Sequence, residues 1–351
     1  MNYDYIIVGQ GLAGTCLAFH LLDAGSKVAI IDNSSNNTSS KVAAGLYNPI
    51  TGRKMVLTWK ANILFPYLNQ FYPKKERELK AKFFYPGDVY RPFYSLEEQN
   101  EWMGKGANDQ YHTFVKNIHI KSEYGQLCYD EFGGLELFNA GYVDLPKFLN
   151  SSKLYFERNR MLVTEAFDYS GLKMDEGIQY KGLHAKKIIF CTGVDHSPFF
   201  NWLPFRPVKG EILEVKPEVE INCIINRGVF VLPKDDGICR VGSTYDNNFD
   251  TLDITQKARE VLTEKLKTIF KPKFHIVGQQ AGVRPATKDR RPIIGLHPDY
   301  KNVAILNGLG AKGVSLAPYC AKQLTDLLIG GKDIDFELNI NRYNSLYYPL
   351  Q

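Results

Sequence analysis

The residues with the clearest chemistry lie within the first 32 positions of the sequence. Gly9, Gly11 and Gly14 form a Gly-x-Gly-x-x-Gly motif directly after the apolar run 5–8. The first glycine permits a tight turn, the second lets the backbone approach a pyrophosphate, and the third allows a helix to pack closely on a strand. Asp32 follows at the spacing typical of a carboxylate that accepts hydrogen bonds from a ribose. The motif therefore predicts a dinucleotide site.

Three elements must hold this motif in place. The run 5–8 predicts a buried parallel strand, and the segment 15–24 predicts a helix with leucines on one face. Gly25 is typical of a helix C-cap, and the run 27–31 predicts a second strand. In such a unit the glycine turn lies at the helix N-terminus, where backbone N–H groups attract a phosphate.

Two later segments of the chain are predicted to contact the same nucleotide. The run 185–191 predicts a strand that ends at Thr192 and Gly193, and the run 303–306 predicts another strand that enters the glycine-rich turn 308–313. A helix is predicted to follow that turn, so backbone N–H groups at its start can stabilise the negative charge of a reduced flavin. Separated contacts of this kind favour FAD, an extended cofactor, over NAD.

The middle of the chain lacks this alternation of strands and helices and predicts a separate substrate domain. The segment 59–71 has a helical pattern, and the charge-rich stretch 74–82 is expected to be a solvated helix face. An amphipathic helix is predicted at 255–270. Antiparallel strands with turn signals between them are predicted at 212–215, 228–232 and 238–242.

Composition excludes several function classes. The net charge of +5 fits an anionic substrate, but no Lys/Arg run suggests nucleic-acid binding. The six cysteines include no C-x-x-C pair and the seven histidines are scattered, so we expect neither a metal nor a disulfide framework. The N-terminus has no basic leader region and no apolar stretch reaches membrane-spanning length, so we expect a cytoplasmic protein with no membrane partner.

In order and spacing, the motifs resemble those of the D-amino acid oxidase superfamily of FAD-dependent oxidoreductases, which includes glycine oxidase and sarcosine oxidase. The resemblance covers nearly the whole chain. It is carried by 9–14 with Asp32, 39–45, 141–144, 191–193, 207–211, 282–285 with Asp289, Pro292 and Gly295, and 308–318.

The resemblance implies an α/β FAD-binding Rossmann-like domain of the glutathione reductase type, with a second α+β substrate domain built on a mixed antiparallel sheet. The FAD domain would comprise 1–60, 141–205 and 277–351, and the substrate domain 61–140 and 206–276. FAD would be held non-covalently, since no cysteine matches a flavin attachment site. The residues implied to bind FAD are Gly9, Gly11, Leu12, Ala13, Gly14, Asp32, Ala43, Ala44, Gly45, Met161, Thr192, Gly193, Gly308, Gly310, Lys312, Gly313 and Val314.

The implied reaction oxidises the C–N bond of a small amino acid or N-substituted glycine by hydride transfer to flavin N5. Dioxygen or another acceptor would then reoxidise the flavin. Arg284, in a Gly-x-Arg-Pro motif, would hold the substrate carboxylate, a role that suits the guanidinium fork. A structural arginine in an ion pair is the alternative.

Two further cations are implied to act in the reaction. Lys312 occupies the position of a lysine that helps to hold the carboxylate in sarcosine oxidases, whereas glycine oxidase has an arginine one position earlier, where this chain has Ala311. An exposed lysine is the alternative. Arg240 aligns with a lysine that helps oxygen to react in sarcosine oxidase. Its strand can equally direct it to solvent, and we favour that interpretation.

Three rival functions remain open. Within the family, the stretches 45–49, 241–246 and 281–291 resemble the oxidase module of the bifunctional enzyme that makes 5-methylaminomethyl-2-thiouridine in tRNA. A tRNA-modifying oxidase acting on carboxymethylaminomethyl-uridine is therefore one rival, although the mild net charge and the lack of a methyltransferase half in this sequence disfavour it. The second rival is an FAD-bound module without catalytic activity. The third is an NAD-dependent dehydrogenase, which the turn 308–313 disfavours.

Overall fold

The computed structural model describes residues 2–34, 39–52, 54–106, 108–195 and 197–348. The strands in these residues are β1 Asn2–Val8, β2 Val28–Asp32, β3 Leu46–Tyr47, β4 Ile50–Thr51, β5 Val56–Leu57, β6 Phe84–Pro86, β7 Val89–Pro92, β8 Val115–His119, β9 Gly134–Leu137, β10 Gly141–Val143, β11 Leu162–Thr164, β12 Leu172–Lys173, β13 Ile178–Tyr180, β14 Leu183–Phe190, β15 Val208–Pro217, β16 Ile224–Arg227, β17 Val229–Pro233, β18 Cys239–Gly242, β19 Phe274–Arg284, β20 Ile293–Leu296 and β21 Val303–Asn307. The helices are α1 Leu12–Asp23, α2 Ser39–Val42, α3 Ala61–Leu79, α4 Leu96–Lys105, α5 Asp109–His112, α6 Leu145–Arg158, α7 Gln256–Lys267 and α8 Gly313–Gly330.

The first sheet contains the strands of the nucleotide motif. Its order is β11-β2-β1-β14-β13-β12, with β21 beside β14 and β20 beside β21. Strands β11, β2, β1, β14 and β21 run parallel. The apolar runs of β1, β2 and β21 and the last three residues of β14 are buried, as expected for a parallel sheet covered on both faces. Val8 lies beside Ile31 and Phe190, and Phe190 lies beside Ile305. The carboxyl ends of β1, β2, β14 and β21 therefore meet at one edge, hereafter the carboxyl edge.

Helices α1 and α8 pack against each other, and both begin at the carboxyl edge. Their apolar faces are buried in one core, which includes Leu17 and Leu21 from α1 and Cys320 and Leu324 from α8. The strand–helix–strand unit predicted for the first 32 residues is confirmed. The predicted strand at 303–306 and the last helix are confirmed as well, with α8 beginning at Gly313.

The second sheet is mixed, as predicted. Its order is β19-β15-β18-β17-β16-β7-β9-β8, and all pairs are antiparallel except β16 with β7. One face packs on α7, where Leu213 and Val241 share a core with Leu262. Because side chains alternate along a strand, the register places Gly210, Gly242, Gly282, Arg240 and Arg284 together on the opposite face.

The expectation of a solvated face at 74–82 is wrong for Lys75. Helix α3 covers this stretch as far as Leu79, and the Lys75 side chain is 0% exposed. Its Nζ lies 4.7 Å from the ring centroid of Phe19 and contacts carboxylate oxygens of Asp23 at 2.9 Å and Glu78 at 2.7 Å. A buried ammonium needs such partners because an unpaired charge away from water is costly.

The two sheets agree with the predicted α/β and α+β parts, whereas the domain boundaries at 60, 140, 205 and 276 stay a prediction. In the part of the chain that the structure describes, no helix combines the length and apolar character needed to cross a bilayer. The same residues contain no group of His, Cys, Asp and Glu side chains suited to a metal ion.

Candidate active site

The first glycine turn leaves no room for side chains at two of its positions. Gly9 has φ of 101°, and a Cβ there would lie 2.5 Å from the Cys191 carbonyl oxygen. A Cβ on Gly14 would lie 1.8 Å from the Gly9 oxygen. Gly11 is open by comparison, because its nearest neighbour would be the Ser40 hydroxyl at 3.5 Å. Strand and helix therefore pack as the motif predicts, and a side chain at Gly11 would meet only the Ser40 hydroxyl.

Asp32, at the end of β2, stabilises this turn by hydrogen bonds. The two carboxylate oxygens of Asp32 accept hydrogen bonds from the backbone N–H groups of Gln10 at 2.8 Å and Ser34 at 2.7 Å. A carboxylate has about four lone-pair sites, so Asp32 retains acceptor capacity for a hydroxyl. Asp32 thus lies at the carboxyl edge beside the glycine turn, as predicted.

Met161 is implied to contact FAD, and this role stays a prediction. It precedes β11, packs against the core, and its carbonyl accepts a hydrogen bond from Ile30 N–H at 2.7 Å. The register places Thr164, three residues later, beside Asp32. Met161 therefore lies just before β11, three residues from the position that is level with Asp32.

The segment 43–45 lies against β10. Gly45 has φ of 79°, and a Cβ there would lie 1.9 Å from the Val143 carbonyl oxygen. The Gly45 carbonyl accepts a hydrogen bond from Val143 N–H at 3.0 Å, and Ala44 is buried. Ala43 is exposed, and its carbonyl accepts a hydrogen bond from an Arg240 terminal nitrogen at 3.2 Å.

The preferred interpretation of Arg240 as a solvent-directed side chain is therefore wrong. Its side chain is 14% exposed and its Nε lies 3.9 Å from a Glu214 carboxylate oxygen. Because side chains alternate along a strand, Arg240 lies on the same sheet face as Gly282. Helix α2 covers this face, as shown by the 3.1 Å that would separate a Cβ on Gly282 from Cβ of Val42.

The second and third glycine turns are joined by a residue that sequence reasoning missed. Asn307 is 3% exposed; its amide nitrogen donates to the Gly193 carbonyl at 2.8 Å and its amide oxygen accepts from Gly308 N–H at 2.7 Å. The turn at Thr192 and Gly193 and the turn at Gly308 are thereby held together at the ends of β14 and β21. A polar residue that ends an apolar run was the available signal.

The start of α8 lies beside the start of α1. A Cβ on Gly313 would lie 3.1 Å from a methyl carbon of Leu12, and Val314 is buried. Gly310, with φ of 56°, donates its N–H to the Pro285 carbonyl at 3.0 Å. Ala13 is half-buried within the first turn of α1. Two helix N-termini, each the positive end of a helix dipole, thus meet at the carboxyl edge.

Arg284 lies flat on the bare backbone of β15. A Cβ on Gly210 would lie 2.2 Å from a guanidinium nitrogen, so only glycine leaves this space free. One terminal nitrogen donates to Ser243 Oγ at 2.7 Å, and both lie 3.2 Å from the Thr244 carbonyl oxygen. The Tyr245 ring centroid lies 4.3 Å from Cζ. Burial lowers the pKa of Arg284, and no described carboxylate contributes to its electrostatic environment, which argues against the ion-pair alternative.

Lys312 lies at the start of α8 and is engaged rather than free. Its Nζ donates to Thr51 Oγ1 at 3.0 Å and to Thr58 Oγ1 at 3.1 Å. The side chain keeps an open face to solvent, yet protein surrounds it on most other sides. This burial, followed by the nearby positive charge of Arg291, lowers the pKa of Lys312 to about 8. Because the Pro285 carbonyl binds Gly310, Lys312 and Arg284 extend from neighbouring segments.

Comparisons with known proteins agree with this arrangement. A family model described as "DAO: FAD dependent oxidoreductase" matches residues 4–327. Glycine oxidase of Bacillus licheniformis is 22% identical over 357 residues, covering 94% of each protein, and D-amino acid oxidase of Dugesia ryukyuensis is 23% identical over 350 residues, covering 92% of this chain and 96% of its own.

The fold is also similar to that of a solved structure. Glycine oxidase from Bacillus cereus superposes with a TM-score of 0.76 at 20% identity, over 94% of this chain and 96% of that one. At this identity the likeness concerns the fold alone, and it confirms the predicted FAD-binding fold with its second domain. Because the family match spans nearly all of the sequence and the fold agrees over the same length, the chain belongs to the DAO family and is an FAD-dependent oxidoreductase.

Proposed function

We propose that this enzyme oxidises the C–N bond of a small amine that carries a carboxylate, either an amino acid or an N-substituted glycine. The observation that carries the proposal is the guanidinium of Arg284, which is largely buried and has no carboxylate partner among the described residues. A buried cation without a counter-ion is unfavourable, so an anionic group of the substrate is its natural complement. A planar guanidinium can bind a carboxylate through two parallel hydrogen bonds.

The carboxyl edge fits FAD. Backbone is accessible in its glycine turns, since a Cβ on Gly193 would meet no described atom within 4 Å and a Cβ on Gly11 only the Ser40 hydroxyl. The N-termini of α1 and α8 suit the pyrophosphate and the negative edge of a reduced ring. We assign Asp32 to a ribose hydroxyl. When bound, FAD accepts a hydride from the carbon next to the amine nitrogen. The described cysteines favour non-covalent binding, since burial raises the thiol pKa of Cys16, Cys191 and Cys320 and disfavours the reactive thiolate.

The side chains around this edge orient the substrate. Arg284 would hold the carboxylate, the Tyr245 ring would shield the guanidinium from water, and Lys312 would supply a second contact for negative charge. Orientation of this kind lowers the barrier because the reacting carbon is held in place before the transfer. Arg240 holds a positive charge beside Ala43, and its role in the reaction with dioxygen or another acceptor stays a prediction.

Anaerobic reduction tests the proposal. The purified yellow protein is mixed with sarcosine, glycine, D-alanine or other N-alkylglycines, and bleaching of the flavin absorbance is followed. At least one of these compounds should bleach wild type. Arg284→Met should keep its flavin spectrum but lose about 100-fold or more in kcat/KM, since a desolvated charge pair contributes about 3 kcal/mol or more.

Arg227 offers a matched control for this variant. Its guanidinium also stacks on a tyrosine, 3.8 Å from the ring centroid of Tyr94, and donates to the Phe93 and Tyr129 carbonyls. Arg227→Met should therefore reduce stability without changing the reaction. If none of the compounds bleaches wild type, the substrate class is wrong; if Arg284→Met is bleached as fast as wild type, the assignment of Arg284 is wrong.

The same assay separates the rival functions. A tRNA-modifying oxidase would be bleached only by the modified nucleoside or by tRNA, with strong salt dependence for tRNA. A non-catalytic FAD module would resist reduction by every amine. None of the relatives named above carries a name that refers to nucleic acid, so the tRNA alternative stays a prediction.

A further inference from the structure

A short hairpin lies against Lys312. Strands β4 and β5 pair only at Ile50 with Leu57 and at Thr51 with Val56. Two residues per strand are too few for an isolated hairpin to persist in water. The conformation of residues 50–52 and 54–58, hereafter the hairpin segment, therefore depends on contacts with the rest of the protein.

Two hydroxyls of this segment hold the ammonium of Lys312. Thr51 Oγ1 and Thr58 Oγ1 accept hydrogen bonds from Nζ at 3.0 Å and 3.1 Å. Thr58 is 4% exposed, and its hydroxyl donates to the Asn48 carbonyl at 3.2 Å, so its oxygen is available to Lys312 as an acceptor. An ammonium has three N–H donors, so these contacts leave one donor for an anion.

The other end of the hairpin is anchored in a different layer of the protein. Met55, in the turn between β4 and β5, is buried, and its Sδ accepts a hydrogen bond from Nε1 of Trp102 at 3.1 Å. Trp102 belongs to α4, where Gln99 donates to two backbone carbonyls next to β8 and β9. Ile50 is wholly buried at the base of the hairpin. One hairpin thus connects α4 with the start of α8.

We propose that the hairpin segment is a positioning element for Lys312, in which Thr51 and Thr58 orient the ammonium and the contact of Met55 with Trp102 keeps the hairpin in place. The inference rests on the proposed function, in which Lys312 contacts the substrate carboxylate. The two threonines and Met55 act through Lys312, so they are positioning residues rather than catalytic ones.

This arrangement predicts how anion binding depends on pH. The pKa of Lys312 is lowered to about 8 by burial and by Arg291, whose own guanidinium faces Glu337 with 3.5 Å between Nε and Oε1. The neutral hydroxyls of Thr51 and Thr58 oppose this effect, because acceptors favour the charged ammonium. Replacing either threonine with valine should lower the pKa of Lys312 further, so anion binding should be lost at a lower pH.

Acetate is a suitable probe because it carries a carboxylate and no oxidisable amine. Its dissociation constant is measured with FAD-loaded enzyme from the perturbation of flavin absorbance, between about pH 6 and about pH 10. In wild type, affinity should fall as pH rises through about 8. Thr51→Val and Thr58→Val should each move this midpoint down by roughly one unit. Thr51→Ser and Thr58→Ser, which keep the hydroxyl, should restore it.

The anchor is tested with Met55→Leu, which preserves volume and removes the sulfur acceptor. It should move the midpoint in the same direction by a smaller amount, whereas Met103→Leu, at an exposed position of the same helix as Trp102, should not move it. Thr51 is only partly buried, so Thr51→Val remains informative if Thr58→Val fails to fold.

The outcomes separate this inference from the proposed function. If both valine variants keep the wild-type midpoint while Lys312→Met abolishes the pH dependence, the hairpin does not position Lys312, although Lys312 still contacts the anion. If Lys312→Met binds acetate with the wild-type pH profile, or if acetate does not bind at all, the role of Lys312 in the proposed function and this inference both fail.

Discussion

The bridge made by Asn307 predicts that one buried amide controls both the stability of the fold and the affinity for FAD. Asn307→Leu is nearly isosteric and removes both of its hydrogen bonds, leaving Gly308 N–H and the Gly193 carbonyl without their side-chain partner. Gly308 is buried, so water cannot replace the lost acceptor. The two turns would then separate at the edge where FAD is proposed to bind.

The magnitude follows from those two groups. A buried donor or acceptor that loses its partner costs about 1–3 kcal/mol, so the loss of partners for two such groups in Asn307→Leu should lower the free energy of unfolding by about 2–6 kcal/mol. If about 1.4 kcal/mol of this destabilisation acts on the FAD-bound form, FAD binding would weaken about tenfold. Asn307→Asp keeps an acceptor for Gly308 N–H and should fall between wild type and Asn307→Leu.

Two measurements on the apoprotein check this prediction. Urea unfolding gives the free energy of unfolding, and quenching of FAD fluorescence during titration gives the dissociation constant. Asn247→Leu, at an exposed position, is the control and should match wild type in both. An Asn307→Leu protein that unfolds within about 0.5 kcal/mol of wild type and binds FAD equally well would refute the reasoning.

Three other predictions follow from packing and charge. Gly14→Ala would place a Cβ 1.8 Å from the Gly9 oxygen and should yield a protein with little bound flavin, whereas Gly87→Ala, which meets no atom within 4 Å, should stay yellow. Burial lowers the pKa of His20 to about 4, below its unfolded value of 6.5, so the unfolded chain binds a proton before the folded protein does as pH falls. The free energy of unfolding should therefore fall by about 3 kcal/mol between pH 6.5 and pH 4. Urea unfolding of His20→Gln should show a smaller loss over the same range. Tyr245→Leu removes the ring over Arg284 and should raise KM severalfold, as the loss of a cation–π contact of about 1 kcal/mol requires, while Tyr245→Phe should leave KM near the wild-type value.

Some side chains were misjudged from the sequence because their surroundings are set by distant segments. Lys75 belongs to a charge-rich stretch, yet its side chain is buried beside Phe19 and Asp23 of α1. Arg240 has neighbours on its strand that suit either face, and only the pairing of β18 with β15 decides that it faces α2.

The sequence alone was sufficient to predict the nucleotide motif, the parallel strand–helix–strand unit and the family, because each depends on local properties. Glycines at Gly9 and Gly14 are demanded by contacts within one short turn, and apolar runs of strand length report burial on both faces. Only the tertiary structure decided which side chains surround the cations, since the partners of Arg284 and Lys312 lie 40 to 261 residues away in sequence. Hydrogen bonds over such separations depend on sheet register and helix packing, and a single sequence contains no local signal for either.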